Sequence, residues 1–173
     1  MLGLPKGEVF LLPWTEEWVA EFLLEKNRME TEIGELILTV HHIGSTAVRS
    51  LSAKPIIDIA IELEDFEQGY RCVQGLESLG YSYKGTNILP DRHYFNKGEP
   101  RTHQIHMYQK ESSFLSKQLA FRDYLIQHEE ARKEYQTLKE RLSLTHSKDK
   151  LTYADNKTEF VNSILKRLGF DME

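Results

Sequence analysis

An α+β fold, a mixed β-sheet with flanking helices and a C-terminal helical cap, is predicted by three observations on this chain. Apolar residues alternate with period two through Ile56 to Leu63 and Arg101 to Tyr108. They recur near the helical period after Thr15, after Asp65 and through the last third, and the strand-like segments precede the long helical run. The 173 residues, 40% hydrophobic and 28% charged, suit one domain over 1–173 with a full core.

The elements follow in order. Val9 to Leu12 reads as a short strand ended by Pro13, and Thr15 as the N-cap of a helix carrying Trp18, Phe22, Met29 and Ile33. Leu36 to Ile43, rich in β-branched and aliphatic residues, reads as a strand. In Ile56 to Leu63, Ile57, Ile59, Ile61 and Leu63 take one face while Asp58, Ala60 and Glu62 share the other, so Asp58 sits on the less apolar side. Asp65 and Gln68 have capping-box spacing ahead of a helix with Phe66, Val73, Leu76 and Leu79. Tyr81 to Lys84 reads as a strand, followed by a hairpin whose arms are Arg92 to Asn96 and Arg101 to Tyr108. In the second arm His103, Ile105 and Met107 share one face, with Gln104, His106 and Tyr108 opposite. Three helical stripes complete the chain: Phe114, Phe121 and Leu125; then Ala131, Tyr135, Leu138 and Leu142; then Tyr153, Phe160, Ile164 and Leu168.

Composition narrows the function classes. No segment approaches the roughly 18 uninterrupted apolar residues of a membrane span, and the N-terminus lacks a basic-then-apolar signal pattern, so no membrane association and a cytoplasmic location are expected. The lone Cys72 supports neither an internal disulfide nor a zinc cluster. A net charge of −5 argues against broad nucleic-acid binding but permits a local basic pocket. Neither a Walker-type phosphate loop nor a Gly-x-Ser-x-Gly nucleophile elbow is present.

The chemistry-bearing segment is Ile43-Gly44-Ser45-Thr46-Ala47-Val48, with Lys54-Pro55-Ile56-Ile57-Asp58 following. A Gly-Ser turn opening a helix offers unpaired amides to a phosphate, and a nearby acid can hold a metal. If the two alternating strands lie side by side, about 4.8 Å apart, Gln104 or His106 faces Asp58. Imidazole suits transition metals and Mg²⁺ prefers oxygen, while the same side chains serve equally well in hydrogen bonds across a sheet face. His103, beside Ile105 and Met107, reads as structural. Lys157 falls on the stripe of Tyr153, Phe160 and Ile164, so its ammonium must emerge somewhere polar, at a phosphate or simply at solvent. Lys54 and Arg101 begin the two strands and belong at the rim.

His42 to Asp58, together with Arg101-Thr102-His103-Gln104-Ile105-His106 and Tyr153-Ala154-Asp155-Asn156-Lys157-Thr158, resembles the GrpB-like family of the nucleotidyltransferase superfamily. The resemblance implies a nucleotidyltransferase-like fold and a nucleotide or phosphorylated small-molecule ligand. Gly44, Ser45, Thr46, Lys54, Arg101 and Lys157 would bind it, and Asp58 and His106 would be catalytic. Asp58, Gln104 and His106 would hold a divalent metal, Mg or Mn, or a transition metal if His106 ligates, for metal-assisted nucleotidyl transfer. Active superfamily members carry two acids spaced one residue apart on the strand after the turn; here Ala60 stands at the second position. Glu62 cannot substitute, since four residues of strand set it roughly 13 Å from Asp58. Arg49-Ser50 also replaces a more usual Pro-Gly. The alternative is a catalytically silent binding or protein-interaction module on the same fold, of unspecified oligomeric state.

Overall fold

Among the residues described by the computed structural model, 1–145 and 150–171, five strands form one sheet. They are β1 (Thr39–Ile43), β2 (Ile57–Leu63), β3 (Ser82–Gly85), β4 (His93–Lys97) and β5 (His103–Gln109), in the order β1-β2-β5-β4-β3. The central β2 and β5 run parallel with Asp58 opposite Gln104 and Ala60 opposite His106, and the other neighbours are antiparallel. The mixed sheet expected from the sequence is therefore present.

Each face of the sheet has its own cover. Helices α1 (Glu16–Ile33) and α2 (Gln68–Ser78) bury Trp18, Phe22, Met29, Ile33 and Leu76 against Ile57, Ile59, Ile61, Ile105 and Met107. Helices α3 (Ser113–Gln127), α4 (Glu129–Thr145) and α5 (Lys150–Arg167) lie on the other side. There, Ala60, Ile43, Tyr108 and Leu115 form one apolar cluster, and Val48, Leu51, Leu125 and Tyr135 form another. The strict alternation of β2 and β5 drives this division, because a one-residue register slip would exchange the two faces.

Thr15 caps α1 as expected, its side chain accepting from the Glu17 N–H. Three local expectations are corrected. Val9 to Leu12 forms no strand; Leu12 makes only an isolated bridge to Ala53, and Pro13 has no N–H with which to extend it. Asp65 is no capping residue, because α2 starts from Glu67 without a side-chain cap and the Phe66 N–H is taken by Gln109 at 2.9 Å. The strand read from Leu36 begins only at Thr39, after a short 3₁₀ helix over Gly34–Leu36. The Tyr153 side chain lies outside the described residues.

A buried polar cluster interrupts the α1 side. Glu25 Oε1 accepts from the Tyr81 hydroxyl at 2.8 Å and from Lys97 Nζ, and Oε2 accepts from Arg28 at 3.1 Å. His103 Nε2 stands 3.1 Å from Glu21 and 3.8 Å from Glu25, which makes His103 part of this structural cluster. Burial alone would raise the Glu25 carboxyl's pKa, but the hydrogen bonds from Lys97 and Tyr81 outweigh it and hold the group below its usual range.

Candidate anion pocket

Strand β1 delivers the chain into the Gly-Ser turn. Gly44 has φ 74°, and a Cβ there would come within 3.0 Å of Asp58 Oδ2 and 3.3 Å of Asp58 Cβ. Glycine is thus required both by backbone conformation and by the closeness of the turn to the carboxylate. The helix expected after this turn is only a 3₁₀ turn over Ser45–Ala47. Its Ala47 and Val48 amides bond back to Gly44 and Ser45, so the donor array is smaller than that of an α-helix N-terminus. Thr46 is buried and braces the turn: its hydroxyl meets His42 Nε2 at 2.9 Å, and its carbonyl accepts from Trp14 Nε1 at 3.2 Å. His42 stacks on Phe22, and burial, with Arg122 acting in the same direction, pushes its pKa down to about 4 against the opposing pull of Asp58. Its imidazole is neutral near pH 7.

Asp58 Oδ1 is approached by two side chains. Gln104, with its amide turned to satisfy all its neighbours, donates from nitrogen at 2.8 Å, while its oxygen accepts from Arg101 at 3.1 Å and the Tyr94 hydroxyl at 3.3 Å. His106 Nε2 approaches the same oxygen at 3.5 Å. Behind it, Arg92 Nη1 lies 3.2 Å from His106 Nδ1.

The turn and Asp58 open into a cavity of about 390 Å³ between the sheet and the three C-terminal helices. Its lining includes Gly44, Ser45, Thr46, Lys54, Asp58, Gln104 and Lys157, which gathers most of the residues singled out in the sequence. Arg101 and His106 are not among the lining residues; they sit behind Gln104 and Asp58 and contact them. Helices α3 and α4 add Lys117, Arg122 and Lys139, side chains the sequence reading missed. Lys139 was the most accessible of these to inference. It falls four residues after Tyr135 and three before Leu142, a lysine inside an apolar stripe just as Lys157 is.

Among the described lining residues charge is one-sided: Lys54, Lys117, Arg122, Lys139 and Lys157 are basic, and Asp58 is acidic. Lys139 is 2% exposed; its Nζ donates to the Ser52 carbonyl at 2.7 Å and rests 5.2 Å from the Tyr135 ring centroid. Burial depresses its pKa strongly, and the charges of Lys157 and Lys54 push the same way. Lys157 is lowered by burial too, with Asp58 opposing. Arg122 is held by Asp123 at 2.9 Å and by the His42 carbonyl at 3.0 Å.

The donor set does not fit a resident metal. An arginine can only donate, so His106 Nδ1 accepts from Arg92; the neutral ring then carries its proton on Nε2, toward Asp58, leaving no lone pair there for a metal. Gln104 turns its N–H₂ rather than its oxygen to Asp58. Ala60, where a second acid would stand, is fully buried against Ile43, Tyr108 and Leu115. Among the described residues no three His, Cys, Asp or Glu side chains gather to hold an ion. The residues Asp58, Gln104 and His106 expected from the sequence are thus brought together, with Gln104 and His106 both turned toward Asp58 Oδ1.

Residues 8–167 fit the family model described as GrpB protein. The chain is 37% identical over 92% of its length to the UPF0157 protein YqkA of Bacillus subtilis (strain 168), spanning 47% of that relative, so about half of it. It is 32% identical over 97% of its length to the glutamate-rich protein GrpB of Alkalihalophilus pseudofirmus, all of which it covers. The crystal structure of the conserved protein GrpB from Enterococcus faecalis superposes with a TM-score of 0.76 at 31% identity, over 90% of this chain and 99% of that one. Terminal uridylyl transferase 4 from Trypanosoma brucei, solved with bound dUTP, matches at TM-score 0.58 and 11% identity, over 93% of this chain and 57% of that one, a likeness of fold. No helix among the described residues is long and apolar enough to cross a membrane. The chain belongs to the GrpB family and has a nucleotidyltransferase-like α+β fold.

Proposed function

We propose that the cavity binds a nucleotide or another phosphorylated small molecule. The observation that carries this reading is Lys139, a lysine only 2% exposed that shares the cavity with Lys54, Lys117, Arg122 and Lys157, Asp58 being the one acid among the described lining residues. Charging the buried Lys139 in a low-dielectric site is unfavourable, and a phosphate supplies opposing charge where it is least screened. Ser45 offers a hydroxyl beside the lysines, while Val48, Phe121, Leu125 and Val161 supply apolar wall for the rest of the ligand. A volume of about 390 Å³ falls within the range of about 300–1,000 Å³ usual for small-molecule sites. The dUTP held by the uridylyl transferase of the same fold supports a nucleotide in particular.

Binding without nucleotidyl transfer is the reading favoured by the apolar filling around Ala60, because it closes the place where the superfamily's second acid stands. Calorimetric titration with the four ribonucleoside triphosphates, pyrophosphate and inorganic phosphate tests the proposal. Saturable binding that weakens with salt is expected, and no binding by any of them defeats it. Incubation of labelled triphosphates with Mn²⁺ and the protein addresses transfer; release of pyrophosphate would overturn the silent-site reading alone.

A further inference from the structure

Two side chains near the pocket do not line it, yet both are buried and polar: His106, 8% exposed, and Arg92, 7% exposed. Arg92 is heavily restrained. Its Nε donates to the Pro90 carbonyl at 3.0 Å, and its guanidinium lies over the rings of Tyr108, at 4.9 Å, and Phe114, at 5.3 Å. Its Nη1 points at His106 Nδ1, and the Tyr94 ring packs on the imidazole with centroids 5.5 Å apart. Nothing in this arrangement leaves His106 a choice of tautomer, since a guanidinium has no lone pair to accept from Nδ1–H.

We propose that Arg92 and His106 form a positioning relay that presents Asp58 to the ligand as a hydrogen-bond acceptor rather than as a metal ligand. Arg92 fixes the His106 proton on Nε2, and Nε2–H then faces Asp58 Oδ1. Gln104, itself oriented by Arg101 and Tyr94, occupies the same oxygen. With Oδ1 engaged by the protein, Oδ2 is the atom beside the Gly44 turn. The chemistry that fits is a phosphate ester with a hydroxyl or ring N–H donor: its anionic end meets the lysines and its donor meets Oδ2. Nucleotides belong to this class and inorganic polyphosphate does not. This ligand assignment rests on the anion-pocket reading, whereas the relay itself is measurable without any ligand.

Long-range ¹H–¹⁵N correlation on the full-length labelled protein reads the tautomer directly. The Nε2–H form is expected for His106 in wild type, with a mixture of tautomers in Arg92→Met; an Nδ1–H form in wild type overturns the relay. Zinc titration followed on the same signals should leave the His106 ring unmoved, and coordination shifts at Nε2 would equally overturn it. The binding arm compares UTP with tripolyphosphate, which lacks a donor. His106→Ala should weaken UTP by about tenfold while changing tripolyphosphate little, and His106→Gln, whose amide can still donate, should recover most of the loss. Equal weakening of both probes, or no rescue by glutamine, would contradict the acceptor role. If neither probe binds wild type, the anion pocket fails, and the tautomer measurement still decides the relay.

Discussion

Two clusters of buried charge occupy opposite faces of one sheet, and they are built on opposite rules. Around Glu25, on the α1 side, the acid meets Lys97, Arg28, Tyr81 and His103, so its carboxylate is surrounded by donors and closed from solvent. Around Asp58, on the side of the C-terminal helices, basic side chains gather at a cavity, and Lys139 is destabilised in its charged form by burial first and by Lys157 and Lys54 in addition. The first cluster is complete within the chain. To the second the proposed function adds the charge of a bound anion, and that contrast separates a structural polar cluster from a proposed binding site more sharply than burial does.

The contrast breaks most visibly through Glu25. Glu25→Ala should leave the half-buried Lys97 without its carboxylate and cost about 3 kcal/mol, a fall in melting temperature of about 10 °C, while the folded fraction keeps its phosphate affinity. A parallel loss of affinity in calorimetry would show that the two clusters are coupled.

Acid should act on the pocket side through His42. Its folded pKa, about 4, lies below the 6.5 of a free imidazole, so between those values the unfolded chain binds a proton that the folded chain refuses. Stability therefore rises with pH across that window, by up to about 1.4 kcal/mol per unit, and is fully present above 6.5. His42→Gln should flatten the denaturation midpoints across the window; an unchanged slope would contradict the account. Affinity runs the other way at high pH, because an anion favours charged Lys139 and binding takes up a proton. Phosphate affinity should begin to fall below the ordinary lysine range as pH rises.

A smaller effect is expected at the loop between turn and β2. Ser50 adopts φ 71°, and a non-glycine residue there costs about 1 kcal/mol. Ser50→Gly should raise the unfolding free energy by about that amount in a urea titration. A decrease would mean that the Ser50 side chain stabilises the loop.

The sheet was legible because alternation in β2 and β5 carries both strand identity and face, which is why Asp58, Gln104 and His106 could be placed on one side before any coordinates. The Gly44 turn was legible from its residues but not its length, since a single 3₁₀ turn and a full helix begin alike. Arg92 and Lys139 were hidden for different reasons. Arg92 sits at a hairpin arm where an arginine usually faces water, and the rings of Tyr108 and Phe114, with the Pro90 carbonyl and His106, hold it inward. Lys139 carried a readable sign, a lysine on an apolar stripe, but its meaning depends on Lys54 and Lys157 arriving from other elements.

Lys139→Met tests the central claim most directly. The variant removes one crowded cation, so its melting temperature without ligand should match or exceed that of wild type, whereas calorimetry with the nucleoside triphosphates and tripolyphosphate should show affinity reduced at least about tenfold. A variant that melts well below wild type yet binds these phosphates as tightly would contradict the account, because Lys139 would then be a structural contact of Ser52 and nothing more.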